Sequence, residues 1–162
     1  PVVESCSAHV DLFVSIQSAG GVVGYADKGT KVITCYSTGT IESQNRNENN
    51  LGGIIGEKND ERDRRCYIYH SYSCIDSVLD NFYGLCGCLC DIYDSATISG
   101  RISKDENHTI NNCVASCTDI TSFMKSCYSE YETNWKFNDS WTWEGVIDSK
   151  KVMVSCPKLA WE

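Results

Sequence analysis

The chain has 162 residues, with 22 acidic side chains against 14 basic ones and a net charge of −8. That balance excludes binding to nucleic acid or an anionic membrane through a broad basic face, and the length suits one domain with its own core. No run approaches the ~18 apolar residues of a membrane span, and the start at Pro1, with no Met and no signal peptide, reads as the edge of a fragment trimmed from a longer precursor.

Twelve glycines against two prolines, with many Ser, Thr, Asn, Ile and Val, predict short strands and frequent tight turns. Helical periodicity is weak; its best stretch is Ile75 to Tyr83. Taken in chain order, two kinds of segment alternate. VESCSAHVDL from Val3 is followed by AGGVVGY from Ala19, VITCYSTGTI from Val32, LGGIIGE from Leu51, IYHSYSCIDS from Ile68, LCGCLCD from Leu85 and INNCVASCTD from Ile110. The first kind carries an apolar residue three places before a Cys or Ser, which makes Cys6, Cys35, Ser71 and Cys113 equivalent. A weaker fifth copy is MVSC, ending at Cys156. In the second kind a gapless alignment makes Gly21, Gly53 and Gly87 equivalent, so that Cys86 and Cys90 stand where other copies have glycine. Polar insertions, Glu57 to Arg65 and Ser103 to His108, absorb differences in length.

Each repeat supplies strands too short to bury an apolar face alone, so copies must stack, with equivalent residues about 4.8 Å apart along parallel ladders. The expected fold is all-β: a parallel solenoid of three to four coils over residues 1–120, closed by a Trp-rich C-terminal cap over 121–162 that covers its open end. Trp135, Trp141, Trp143 and Trp161, the only tryptophans, all lie in that last stretch.

Residues 20–41, GGVVGYADKGTKVITCYSTGTI, resemble the GLUG repeat of large secreted or surface proteins of bacteria. The likeness is partial over 51–78 and poor over 85–120, and CPKLAW from Cys156 is similar to the ending of such arrays. The resemblance implies a right-handed parallel β-helix-like solenoid, a scaffold on adhesin-like surface proteins, extracellular or at the cell surface, with no active site of its own.

Eleven cysteines leave at least one unpaired within the monomer. Three readings stand: buried free thiols packing as small hydrophobes, disulfides between stacked strands with Cys6 and Cys35 as the pair to test, and metal ligands. Cys86, Cys88 and Cys90 lack the Cys-x-x-Cys knuckles of zinc sites, and Cys66, His70 and Cys74 share one side of an extended strand but lack a fourth ligand, so no metal and no cofactor is expected.

With only His9, His70 and His108, and no His-Glu-x-x-His or Gly-x-Ser-x-Gly, a peptidase or serine hydrolase is not expected; DSATISG from Asp94 reads as a turn and a strand. The alternative to a non-enzymatic binding scaffold is a carbohydrate-active enzyme using acidic residues on one flank, with Asp76, Asp80, Asp91 and Asp94 as candidates. Trp141 and Trp143 alternate on one strand face and are the candidate aromatic platform for a host glycan or surface protein, unless they fill the cap interior. The sequons at Asn107 and Asn138 suit exposed loops.

Overall fold

The structure is a computed structural model, and it describes residues 1–15, 18–44, 50–58, 65–104, 109–127, 134–147 and 150–162. His108, the sequon at Asn107 and most of the two polar insertions lie outside these residues. The fold is all-β apart from one short helix.

Four successive sets of strands make up the first part. They are β1 (Val2–Glu4), β2 (Ser7–Val14), β3 (Ala19–Gly20) and β4 (Val23–Ala26); then β5 (Lys31–Ile33), β6 (Tyr36–Ser43), β7 (Leu51–Gly52) and β8 (Ile55–Lys58); then β9 (Cys66–Tyr69), β10 (Tyr72–Asp76) and β11 (Phe82–Tyr83); then β12 (Cys90–Tyr93) and β13 (Ala96–Thr97). They are followed by β14 (Ile110–Asn111), α1 (Ile120–Ser126), β15 (Trp135–Ile147) and β16 (Lys150–Leu159). The first strands of the sets pair side by side as β1-β5-β9-β12-β14, the second as β2-β6-β10-β13, the third as β3-β7-β11, and β4 pairs with β8. Every one of these pairings is parallel.

The register makes columns. Val3, Val32, Ile68, Ile92 and Ile110 follow one another along the first sheet, and Val32, Ile68 and Ile92 are wholly buried. Each such side chain is worth about 1.5–3 kcal/mol on leaving water. Three residues later the chain turns into the second sheet at Cys6, Cys35, Ser71, Ser95 and Cys113. The residue before each of these, Ser5, Thr34, His70, Asp94 or Asn112, is left-handed, with φ between 48° and 53°. Such a non-glycine corner costs roughly 1–2 kcal/mol, so its repetition shows that surrounding contacts impose the bend.

The Cys and Ser side chains explain how. Ser71 Oγ donates to Tyr69 O at 2.8 Å, Ser95 Oγ to Tyr93 O at 2.8 Å, and Cys35 Sγ to Ile33 O at 3.2 Å. Each of those carbonyls also accepts a backbone N–H from the neighbouring strand set, Ile33 O from Ser5, Tyr69 O from Thr34 and Tyr93 O from His70, so the small polar group adds a second, local bond that holds the bend. Ser71, Cys35 and Cys113 thus share one corner; Ser95 belongs with them as well.

Gly87 requires a correction. Gly53 stands opposite Gly84, whose neighbour Tyr83 pairs with Gly52, and Ile55 bridges Cys86, so Gly87 matches Gly24 and Gly56 instead of Gly21 and Gly53. The Gly21, Gly53 and Gly84 column is small for a reason visible across the interior. A Cβ on Gly21 would approach Ser37 Cβ to 2.6 Å, one on Gly53 Ser73 Cβ to 2.8 Å, and one on Gly84 Thr97 Cβ to 2.7 Å. Ser37 Oγ donates to Gly53 O and lies 3.1 Å from Ser73 Oγ, so this narrow layer is held by hydroxyls as well as by close backbone approach.

The weak helical periodicity at Ile75 to Tyr83 falls on the end of β10, a turn and β11; the helix among the described residues is α1. Its Asp119 cap accepts from Ser122 N–H at 3.0 Å. The copy ending at Cys156 is also not a repeat, because β16 pairs antiparallel with β15. This helix and the hairpin make up the stretch expected as a cap, and Ser155 N–H of β16 donates to Thr118 O just before α1 at 3.1 Å. They lie along the outer face of the β2-β6-β10-β13 sheet, where Ile120, Met124, Trp135, Val154, Cys156 and Leu159 pack against Tyr36, Tyr72, Cys74, Ala96 and Ile98. The outward column Tyr36, Tyr72, Ala96 is apolar, so this flank needs a cover as much as an end does.

Candidate binding cleft

The hairpin meets β10 and, at Tyr36, β6, with β2 beyond it at the edge of the sheet. There a cleft of about 300 Å³ opens, lined by Ser7, His9, Tyr36, Thr38, Trp141 and, at the C-terminus, Lys158 and Glu162. Tyr36 stacks on Tyr72 with ring centroids 4.9 Å apart and planes 4° off parallel, and Trp141 leans over Tyr36 at 6.0 Å. The aromatic wall is fixed from behind. Trp141 Nε1 donates to Tyr72 OH at 3.3 Å, and that hydroxyl donates to Pro157 O at 2.9 Å.

The polar rim is also held. Tyr36 OH donates to Glu162 Oε1 at 2.6 Å, while Glu162 Oε2 accepts from Leu159 N–H at 2.7 Å. Burial, then the Glu162 carboxylate, pushes the Tyr36 phenol up to about 12, so it remains a donor at any ordinary pH. His9 Nδ1 lies 2.9 Å from Thr38 Oγ1, and Lys158 Nζ pairs with Asp139 at 3.1 Å.

Trp141 and Trp143 do share one strand face, as their spacing predicts, but only Trp141 lines the cleft. Trp143 lies over Gly145, where a Cβ would fall 1.6 Å from its ring, and packs with the core under the hairpin. Trp135 is buried, and Trp161 is 62% exposed with its Nε1 donating to Ser5 O at 2.8 Å. The sequence did not single out Tyr36 or Glu162, since their roles arise from residues 126 positions apart.

The candidate carboxylates are not gathered here. Asp91 is buried and receives the Arg65 guanidinium at 2.9 Å and the Thr109 N–H at 3.1 Å. Asp94 Oδ1 accepts from Asn112 Nδ2 at 2.6 Å, and its other oxygen lies 3.6 Å from His70 Nδ1. Asp76 ends β10, where burial raises its pKa, and Asp80 supplies its carbonyl to Arg101. Among the described residues lining the cleft the carboxylate is Glu162, and Asp139 pairs with the lining Lys158.

The corner at His70 separates Cys66, in the first sheet, from Cys74, in the second, so these three do not share a strand face. Cys74 Sγ instead meets Cys156 Sγ at 3.4 Å beneath the hairpin. Cys6 and Cys35, the pair to test under the disulfide reading, are register neighbours with free thiols. Cys86 and Cys90 are the bonded pair.

No family model, no curated protein and no solved structure matches the chain.

Proposed function

We propose that this chain is a non-enzymatic binding module of a bacterial surface or secreted protein, a GLUG-type repeat domain in which the parallel ladders form a right-handed solenoid presenting the Tyr36–Trp141 cleft. The shared corner supports the scaffold reading: a chain that returns to one bend and one column of aliphatics is built to repeat. The observation that carries the binding reading is the cleft, in which two aromatic rings sit beside a fixed carboxylate, an imidazole and an ammonium. Apolar faces with a few positioned polar groups suit one or two sugar rings, whose C–H faces stack on aromatics while hydroxyls meet Glu162, His9 and Lys158. A host glycan, free or on a surface protein, is the expected partner.

The enzymatic alternative needs two carboxylates facing across a substrate; among the described residues Glu162 lines the cleft and Asp139 is held by the Lys158 ammonium. No described helix is long and apolar enough to cross a membrane.

A glycan array followed by titration calorimetry tests the reading. Trp141→Ala abolishes binding while Trp143→Ala, in chains that remain folded, keeps the same ligand set. Equal binding by wild type and Trp141→Ala overturns the cleft assignment.

A further inference from the structure

In an extended strand Cys86 and Cys90 would stand roughly 13 Å apart, at ~3.3 Å per residue. Their Cα atoms are 6.6 Å apart because the chain bends at Gly87 and Cys88. The bend comes from the shortness of this connection: β8 and β9 are joined by a seven-residue segment, 59–65, whereas here only Leu89 separates Cys88 from β12. All three side chains therefore turn to one point. The three sulfurs lie within 4.8 Å of one another, Cys88 Sγ being 3.4 Å from Cys86 Sγ and 3.7 Å from Cys90 Sγ.

We propose that in the reduced chain Cys86, Cys88 and Cys90 form a three-sulfur site for a soft monovalent cation of the copper(I) class. Three coplanar sulfurs bonded at about 2.3 Å to one centre stand about 4 Å apart, close to the 3.4 and 3.7 Å that Cys88 Sγ already keeps from its two neighbours, and opening the Cys86–Cys90 bond lets the third pair move apart. Soft thiolates select such cations, and zinc prefers a fourth ligand. The next thiol, Cys66, pairs in register with Cys90 but points its sulfur at Asp27 O, 3.5 Å away.

The site also has an approach. A cleft of about 320 Å³ reaches Cys88, which is 7% exposed, between Lys58, Lys104, Glu57 and Asn50. The Glu57 carboxylate accepts from Ser18 Oγ at 2.6 Å. Reduction of the Cys86–Cys90 bond by a small thiol or a phosphine takes two electrons and two protons and yields two thiols. The cation then replaces three S–H protons, which leave to water, and the complex carries a charge of −2. The two ammonium groups on the cleft wall oppose that charge.

The test uses the full chain, reduced with a phosphine under nitrogen, and copper(I) supplied as its acetonitrile complex in competition with bicinchoninate. The expected result is about one copper per chain with near-ultraviolet thiolate-to-copper absorption. Alkylation mapped by mass spectrometry then finds Cys86, Cys88 and Cys90 blocked in the unmutated protein. Cys88→Ser lowers the copper content to about zero and Cys66→Ser leaves it at about one. Unblocked thiols at the three positions in the fully reduced chain overturn the proposal, as does protection of Cys66 along with them, or uptake unchanged in Cys88→Ser.

Discussion

Ser71 and Ser95 stand in register at one corner of the chain, 24 residues apart, and the Ser71 N–H donates to Ser95 Oγ at 3.1 Å. One step along, the Cys35 N–H donates to Ser71 Oγ at 3.1 Å. A hydroxyl here therefore serves two sites at once, receiving from the previous strand and donating to the carbonyl two residues behind it.

Replacing Ser71 by Ala leaves the buried Cys35 N–H and Tyr69 C=O without this partner, and the variant loses about 1–3 kcal/mol. Ser71→Cys loses less, because a thiol at Cys35 already makes the same contact with its own carbonyl. Urea unfolding of the two variants, compared through midpoints at equal slope, checks the order.

Gly39→Ala and Gly53→Ala are among the costliest single-methyl changes. A Cβ at Gly39 would fall 1.9 Å from Val10 O in a residue with φ of 114°, and one at Gly53 would fall 1.9 Å from Gly84 O. Both are expected to lose about 2 kcal/mol or more. Gly24→Ala meets nothing within 4 Å and is neutral or gains up to about 1 kcal/mol through the unfolded chain. Thermal melts of the three variants test this contrast.

Alkali destabilises the fold from pH 9 upward. Burial pushes the Cys35 and Cys113 thiols up to about 11, and burial with Glu162 pushes Tyr36 up to about 12, from ordinary values of 9.0 and 10.0. The folded chain holds these protons more tightly, so the unfolded chain binds fewer of them between pH 9 and 12 and stability falls across that window. Below pH 9 these groups contribute a constant amount. Denaturation midpoints from pH 7 to 11 read the slope, and Cys35→Ala makes it shallower.

Native alkylation at pH 8 should follow exposure. Cys6 reacts first, Cys113, Cys117 and Cys127 follow, and Cys35, Cys66 and Cys74 wait for unfolding, since burial both hides them and raises their pKa values. Mass-resolved rates test the order. Equal rates at Cys6 and Cys35 would contradict the edge position of the first strand set.

Much of the scaffold was legible because period and chemistry agree. The apolar residue three places before Cys6, Cys35, Ser71 and Cys113 is the aliphatic column of the first sheet, buried at Val32 and Ile68 and open at its ends, and the small polar residue marks the corner. Ser95 was hidden by the short spacing from Ser71 and by Ala96 standing where Tyr36 and Tyr72 occur; the quintets YHSYS from Tyr69 and YDSAT from Tyr93 hold the signal. Gly87 misled because LCGCLC fits a Gly-Gly-apolar-apolar-Gly frame without a gap, whereas the true match, YGLCG from Tyr83, replaces the first glycine with tyrosine. The flank position of the hairpin had no local signal. It depends on Tyr72 meeting Pro157 and Tyr36 meeting Glu162, contacts that no spacing rule reaches.

The claim on which the rest depends is that the chain returns to the same bend in every strand set. Backbone chemical shifts and HN–Hα couplings of the labelled protein measure it directly. Left-handed values at Ser5, Thr34, His70, Asp94 and Asn112 are the predicted result. Right-handed helical or extended values at Thr34, His70 and Asp94 would contradict it.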